Sequence, residues 1–410
     1  MTAQQFVLEI GRAMHALGSP SYRVEDTMDA CCRALGLEGS FFATPTSIMA
    51  AIGLPGAEQR TVLLRVEPGE HDLGRLARLY TIRDAVVRGG MSPTDGLAQV
   101  RAVLAPAARA RSWPDAAACG LSGAGAGVLF GGGHLEIVFA GVAGLLVGLM
   151  GLLARLRPGL ADLHAPFSCA VVAFLVHVAA SGGLEVDPTV TTVAAIVVLL
   201  PGLSFTTALA ELAMRHLASG SARLMGTVAL LTTMAVGVGI GDRCARALVG
   251  WPPPVHADRL ALGWHVLALL ATWVAYVILL RAVRGQAIWI LCAVAIGYGG
   301  ARLGREVLGT ETGAFLGALA VALVANLYAR WKRQPSAVVR TPGLLLLVPG
   351  SLGFRGLASV ALPGSQADAP FLLQMLIVGG SIVAGLLMAG VLLPAPLDVE
   401  PDSRRRVAVS

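Results

Sequence analysis

Two apolar runs in this chain are cut short by a proline-glycine pair, and neither is long enough to cross a bilayer before it breaks. Val197-Val198-Leu199-Leu200-Pro201-Gly202-Leu203-Ser204 closes the first, and Leu345-Leu346-Leu347-Val348-Pro349-Gly350-Ser351 closes the second. A helix needs roughly 20 apolar residues to span. Proline removes a backbone donor and glycine admits dihedrals that other residues avoid, so each pair interrupts a helix and frees backbone groups that must find partners. Paired interruptions at matching places in two halves of a chain point to a substrate site near the bilayer midplane.

The bulk composition fits that setting. Hydrophobic residues make up 55% of the 410 and charged residues only 14%, with a mean hydropathy of +0.72. Soluble domains carry nearly twice that share of charge, so the chain reads as a polytopic α-helical membrane protein whose surroundings include membrane lipid. Fifty glycines suit helices that approach backbone to backbone. The net charge of +6 is almost wholly arginine placed at helix ends, which serves orientation in a membrane and gives no basic face for nucleic acid. Six cysteines lack CxxC spacing and a neighbouring histidine pair, so no metal or cofactor site is expected. Met1 to Leu17 has no basic start followed by an apolar core, and no cleaved signal peptide is expected.

Residues 1–115 hold no spanning segment and are expected to form a small cytosolic α+β domain. Phe6, Ile10, Met14 and Leu17 share a helical face that Gly18 should end, and Ser19-Pro20 should open a second helix running to Gly36. Thr and Ser with Pro45 and Pro55 predict two or three short strands. Asp72 and Ser92-Pro93 should cap two further helices.

Ten spans are expected near 116–132, 135–154, 167–183, 189–218, 221–241, 260–280, 286–301, 313–331, 338–362 and 372–394, with the fourth and ninth broken. Each break lies about 85 to 89 residues after the start of its group of five, and five is odd, so 116–245 and 260–395 read as inverted repeats joined by 246–259. Arginine and lysine favour the front-domain side roughly two to one, which favours both termini and the basic tail 396–410 on the cytoplasmic side. Glycine pairs four apart, including Gly237 with Gly241 and Gly144 with Gly148, predict tight helix contacts.

A helix that starts just after Pro-Gly offers unpaired N–H groups and the positive end of its dipole, which can hold a carboxylate. Pro201, Gly202, Ser204, Thr206 and Thr207 are therefore candidate substrate contacts, as are Pro349, Gly350, Ser351 and Arg355. Glu211 behind the first break is costly in a membrane unless paired or protonated, which makes it a candidate proton carrier, a partner of an ammonium, or half of an ion pair with Arg215. His177 inside the third span is a second proton-coupling candidate or a packing histidine. Asn326 in the eighth span suits an interhelical hydrogen bond. Gly120-Leu121-Ser122-Gly123 has the GxSG form of intramembrane serine proteases, a different class of function, but no histidine stands in a matching motif.

Gly18-Ser19-Pro20-Ser21-Tyr22-Arg23-Val24-Glu25-Asp26-Thr27, Thr44-Pro45-Thr46-Ser47-Ile48, Leu200-Pro201-Gly202 with Glu211, Gly220 and Arg223, and Val348-Pro349-Gly350-Ser351 together resemble the threonine/serine exporter family. The resemblance covers nearly the whole chain, with the cytosolic domain and both membrane halves fused. It implies a secondary transporter, not an enzyme, that exports small hydroxy amino acids by proton-coupled antiport. No cofactor beyond the proton gradient is implied, and a homo-oligomer is compatible with it. An exporter of small organic acids or dicarboxylates is the alternative that Arg355 would suit.

Overall fold

The computed structural model describes residues 2–67, 69–105, 113–253, 260–347 and 370–395. The front domain comprises α1 (Thr2–Ala16), α2 (Ser21–Ala34), the strands β1 (Glu38–Thr44), β2 (Ser47–Gly53) and β3 (Arg60–Arg65), then α3 (Leu73–Val87) and α4 (Pro93–Leu104). The strands form one antiparallel sheet in sequence order. Phe6, Ile10, Met14, Met28, Ile48 and Leu79 fill its core at full burial.

Local signals end these helices as expected. Gly18 adopts φ +77° after α1, and a Cβ there would stand 3.0 Å from the His71 ring, so the position needs glycine for its backbone and for its space. The Asp72 side chain accepts from Arg75 N at 2.8 Å, and Ser92 caps α4 with Pro93 at its first position. The start of α2 differs by one residue. Helix begins at Ser21 and Pro20 stands at the cap with no side chain serving it, because the Ser21 N–H is taken by a residue of the membrane half described below.

The rest of the chain is helical: α5 (Trp113–Leu129), α6 (His134–Ala154), α7 (His164–Ser181), α8 (Pro188–Ala195), α9 (Gly202–Ala213), α10 (Leu217–Val249), α11 (Leu262–Leu279), α12 (Ala287–Leu308), α13 (Thr310–Lys332), α14 (Ala337–Leu347) and α15 (Pro370–Leu392). Among the described residues seven helices are long and apolar enough to cross a membrane, and α8 with α9 forms an apolar pair bent by 52°, a broken span or a re-entrant loop. Against the ten expected, α5 has 17 residues, and the ninth expected span, 338–362, lies mostly outside the described residues, which hold only its α14 part (Ala337–Leu347). The α10 helix runs 33 residues, well past the expected end at 241. Asp242 and Arg246, one turn apart, pair at 2.9 Å, Arg246 stacks on Trp251 at 3.6 Å, and Gly250 ends the helix at φ +80°.

Several helix ends meet the front domain. Arg155 after α6 pairs with Glu70 at 2.8 Å. His216, between α9 and α10, lies 3.5 Å from Glu25. After α11, Leu280 O accepts from Leu73 N at 2.9 Å, and Arg281 reaches Glu70 and Asp72. Ala337 at the start of α14 packs on the front-domain core. Arg215, Arg281 and Arg333, which follow α9, α11 and α13, all hold positive φ, a conformation that costs a non-glycine residue about 1 kcal/mol.

Helix contact inside the bundle depends on glycine at close approaches. A Cβ on Gly237 or Gly241 of α10 would overlap the carbonyls of Pro166 and Ala170 in α7, while Gly226 of the same helix faces open space. Gly241→Leu should therefore force α7 from α10 and cost on the order of 1–3 kcal/mol or more. Thermal unfolding in detergent should fall clearly for Gly241→Leu and stay near wild type for Gly226→Leu; equal behaviour would contradict the packing.

Candidate functional site: cavities around the broken helix beneath the front domain

The break at Pro201 lies where the sequence places it. Asp187 caps α8 by accepting from Thr189 N at 2.8 Å and Val190 N at 3.1 Å. The helix tightens into a 3-10 turn at Val197–Leu199, Leu200 is extended, and α9 starts at Gly202. Residues 201–204 form the first turn of a new helix, whose leading N–H groups have no partner within it.

Two sizeable cavities flank this start. One of about 320 Å³ is lined by Pro201, Gly202, Leu203 and Ser204, with Ser122 of α5, Thr272 and Tyr276 of α11 and His71 of the front domain. The other, about 410 Å³, lies between the front domain and α9, α13, α14 and α15. Its polar lining includes Ser19, Tyr22, Asp26 and His71 from the front domain, Thr206 and Thr207 from α9, and Asn326, Arg340 and Thr341. A pocket of about 60 Å³ between them touches His15, His71, Ser204, Thr207 and Arg223. His71 lines all three.

The expected substrate residues divide between these spaces. Ser204 faces the 320 Å³ cavity and the small pocket, and Thr207 the small pocket and the larger cavity. Thr206 is 1% exposed, and its hydroxyl donates back to Gly202 O and Leu203 O, so it is occupied within its own helix. Pro349, Gly350, Ser351 and Arg355 lie outside the described residues. Ser122 shares a cavity with His71, yet no hydrogen bond joins it to a base among the described residues.

Glu211 lies at none of these three cavities. Its carboxylate is fully buried and accepts from Arg223 Nε and Nη2 at 3.1 Å each, from Ser219 Oγ at 2.8 Å and from Ser21 N at 3.0 Å. Ser21 Oγ, 2.6 Å from Ser219 Oγ, must then donate to it. The carboxylate thus binds an arginine one helix away and, 190 residues distant in sequence, caps α2 of the front domain. Arg223, not Arg215, is its ion-pair partner.

His177 is 2% exposed at the opposite end of the bundle. Its Nδ1 is 2.9 Å from Asp242 Oδ1 and its Nε2 is 3.0 Å from Gly250 O. Asp242 also holds Arg246. Asn326 donates to Leu393 O at 2.7 Å, tying α13 to the end of α15. His71, Asn326 as a cavity residue, and Arg340 were not singled out for the site by the sequence, because nothing local to them signals a wall shared between distant segments.

Burial, aided by the nearby Arg223 guanidinium, pushes His71 down to about 4, and burial likewise lowers His15. A histidine lowered on folding binds its proton more readily in the unfolded chain, so its contribution is intact above pH 6.5 and is lost as pH falls toward 4. Thermal midpoints of the full chain should drop through that window. His71→Gln should make the drop shallower, with His15 leaving a residual slope; an unchanged slope would contradict the assignment.

Two threonine/serine exporter family models match the chain, one over residues 5–243 and the other over residues 265–392. An uncharacterized protein of Schizosaccharomyces pombe, C7D4.12c, is 24% identical over 86% of this chain and 48% of its own length. Pheromone-regulated membrane protein 10 of Candida albicans is 25% identical over 85% of this chain and 32% of its own length, and its counterpart in Zygosaccharomyces rouxii is 22% identical over 85% and 36%. The chain thus spans about half or less of the length of these relatives. No solved structure matches it. With its first family model alone covering more than half the sequence, and the broken helix and its cavities as described, the chain belongs to the threonine/serine exporter family.

Proposed function

We propose that the chain exports small hydroxy amino acids of the threonine/serine type across a bacterial inner membrane, by proton-coupled antiport and alternating access, with the front domain and both termini in the cytoplasm. The observation that carries this reading is the convergence of the cavities on the Pro201–Gly202 helix start, where hydroxyl side chains, free amides and a front-domain wall meet. A substrate hydroxyl would be read by Ser204 and Thr207, and Thr206 would hold the turn.

The reading takes the membrane part as two inverted groups of five, α5 to α10 and α11 to α15, with α8–α9 and α14 as the broken fourth members. Similar partners within each group support it: the second member packs on the fourth (α6 on α8, α12 on α14), and the third on the fifth (α7 on α10, α13 on α15). The groups meet through α5 and α11, and α9 touches both α14 and α15. By this count Pro349, Gly350, Ser351 and Arg355 would supply the second half of the site.

Proton coupling is assigned to His177 and Glu211 at opposite ends of the bundle. Both neighbours of the His177 ring nitrogens, a carboxylate oxygen and a carbonyl, can only accept, while neutral imidazole has one N–H. A proton gained by the ring would let both nitrogens donate, and so would clamp α7 to the end of α10 at the end away from the front domain. Such a clamp fits an antiporter whose proton-loaded form is closed outward. Glu211, on taking a proton, would loosen its hold on Arg223 and on the front domain.

The test is counterflow in proteoliposomes. Internal L-threonine or L-serine should drive uptake of labelled threonine at least about tenfold better than succinate, matching the discrimination that a site built for hydroxyls provides. A pH step should change the flux, and His177→Gln should blunt that response. Exchange driven best by succinate would favour the organic-acid reading, and indifference to pH would remove the proton role.

A further inference from the structure

Four arginines on the front-domain side of the bundle have an acceptor. Arg155 and Arg281 lie on Glu70, Arg223 on Glu211, and Arg330 on Pro394 O. Arg157, Arg215, Arg284 and Arg333 have no side-chain acceptor among the described residues but are exposed, and Arg340 differs from them in its burial. It stands in the first turns of α14, half-buried, and lines the 410 Å³ cavity, and no acceptor among the described residues meets its guanidinium. A guanidinium keeps its charge at every accessible pH, and its planar fork matches a carboxylate with two parallel hydrogen bonds. Partial burial of such a group without a counter-charge is unfavourable, so the position suits an arriving anion.

We propose that Arg340 binds the substrate's carboxylate, at a site whose opposite wall is supplied by the front domain. This assignment rests on the exporter reading above and goes beyond it, since the free helix start at Gly202 and Arg355 were the earlier candidates for that contact. The rest of the cavity suits a small zwitterion. Asn326 commits its Nδ2 to Leu393 O and so keeps its carbonyl oxygen for a donor such as an ammonium group. Asp26 adds negative charge at the same cavity, Thr207 offers a hydroxyl, and Leu203 and Leu344 supply apolar contact. His71 on the front-domain wall is held neutral by its burial, so the cations lining this cavity are Arg23 on the front-domain wall and Arg340 on the membrane side, beside Thr207 and Asn326. The arrangement places the carboxylate beside the mouth of the broken helix, within the space where the front domain and α9 meet.

Binding of labelled L-threonine and of succinate to the full chain in nanodiscs tests this, using wild type, Arg340→Lys, Arg340→Gln and, as a control, Arg302→Gln, whose side chain is exposed and paired with Glu306. Arg340→Gln should weaken binding about tenfold to a hundredfold, as expected for loss of a charged hydrogen-bonded pair. Arg340→Lys should fall between, because charge remains and the fork is lost, and Arg302→Gln should match wild type. Monodisperse elution of Arg340→Lys guards against a folding defect. Threonine binding that ignores Arg340 overturns the proposal and leaves the exporter reading intact. Arg340-dependent binding of succinate alone keeps the carboxylate contact and removes the amino-acid substrate. Wild-type protein that binds neither compound overturns the proposal.

Discussion

Among the contacts that join the front domain to the membrane helices, one buried carboxylate ties three helices together. Glu211 receives four hydrogen bonds, from a guanidinium, a hydroxyl and the first amide of α2. A carboxylate in a membrane-embedded helix is expensive alone, and a buried pair that loses one member costs roughly 3–5 kcal/mol. Here the cost is offset on three sides at once, so α9, α10 and α2 are positioned by a single group. The walls of the cavities at the helix break follow from that arrangement, because α9 carries both Glu211 near its end and the Pro201–Gly202 turn at its start.

The consequence for function is that the front domain is built into the candidate site. His71, Ser19, Tyr22 and Asp26 line the same space as Thr207 and Arg340. A domain that merely hung from the bundle would leave that space open on one side. Docked, it walls that space on one side, and charged and hydroxyl groups act more strongly in an enclosed site than in open water. Movement of this domain relative to α9 would therefore alter access and binding together. His177 has a comparable role at the other end, where two acceptors and one imidazole join α7 to the close of α10.

Much of this was legible in the sequence wherever the signal was local. The Pro201–Gly202 break, the Asp72 and Ser92 caps and the left-handed Gly18 each follow from one or two residues, and the structure has them. The glycine steps correctly marked close helix contacts, since Gly241 lies against the Ala170 carbonyl. Long-range features were not legible. Ser19-Pro20 reads as an ordinary helix opening, and only the fold reveals that the orphan amide of Ser21 is capped by Glu211 from the membrane half. Likewise Arg215 is the near neighbour in sequence, but Arg223 is the partner in space, because Arg215 lies in a left-handed turn that ends α9. The extra turns of α10 depend on Trp251 and Asp242 contacts that a hydropathy pattern does not carry. His71 and Arg340 have no local signature at all.

The most direct test of the docked front domain is hydrogen exchange of the backbone amides at 19–25 in the full-length chain. If Glu211 caps α2, the Ser21 amide should be strongly protected in the wild type and released in Glu211→Gln, while amides in the front-domain core at Ile10 and Met28 stay protected. Rapid exchange at Ser21 in the wild type, or equal protection in both proteins, would contradict the account.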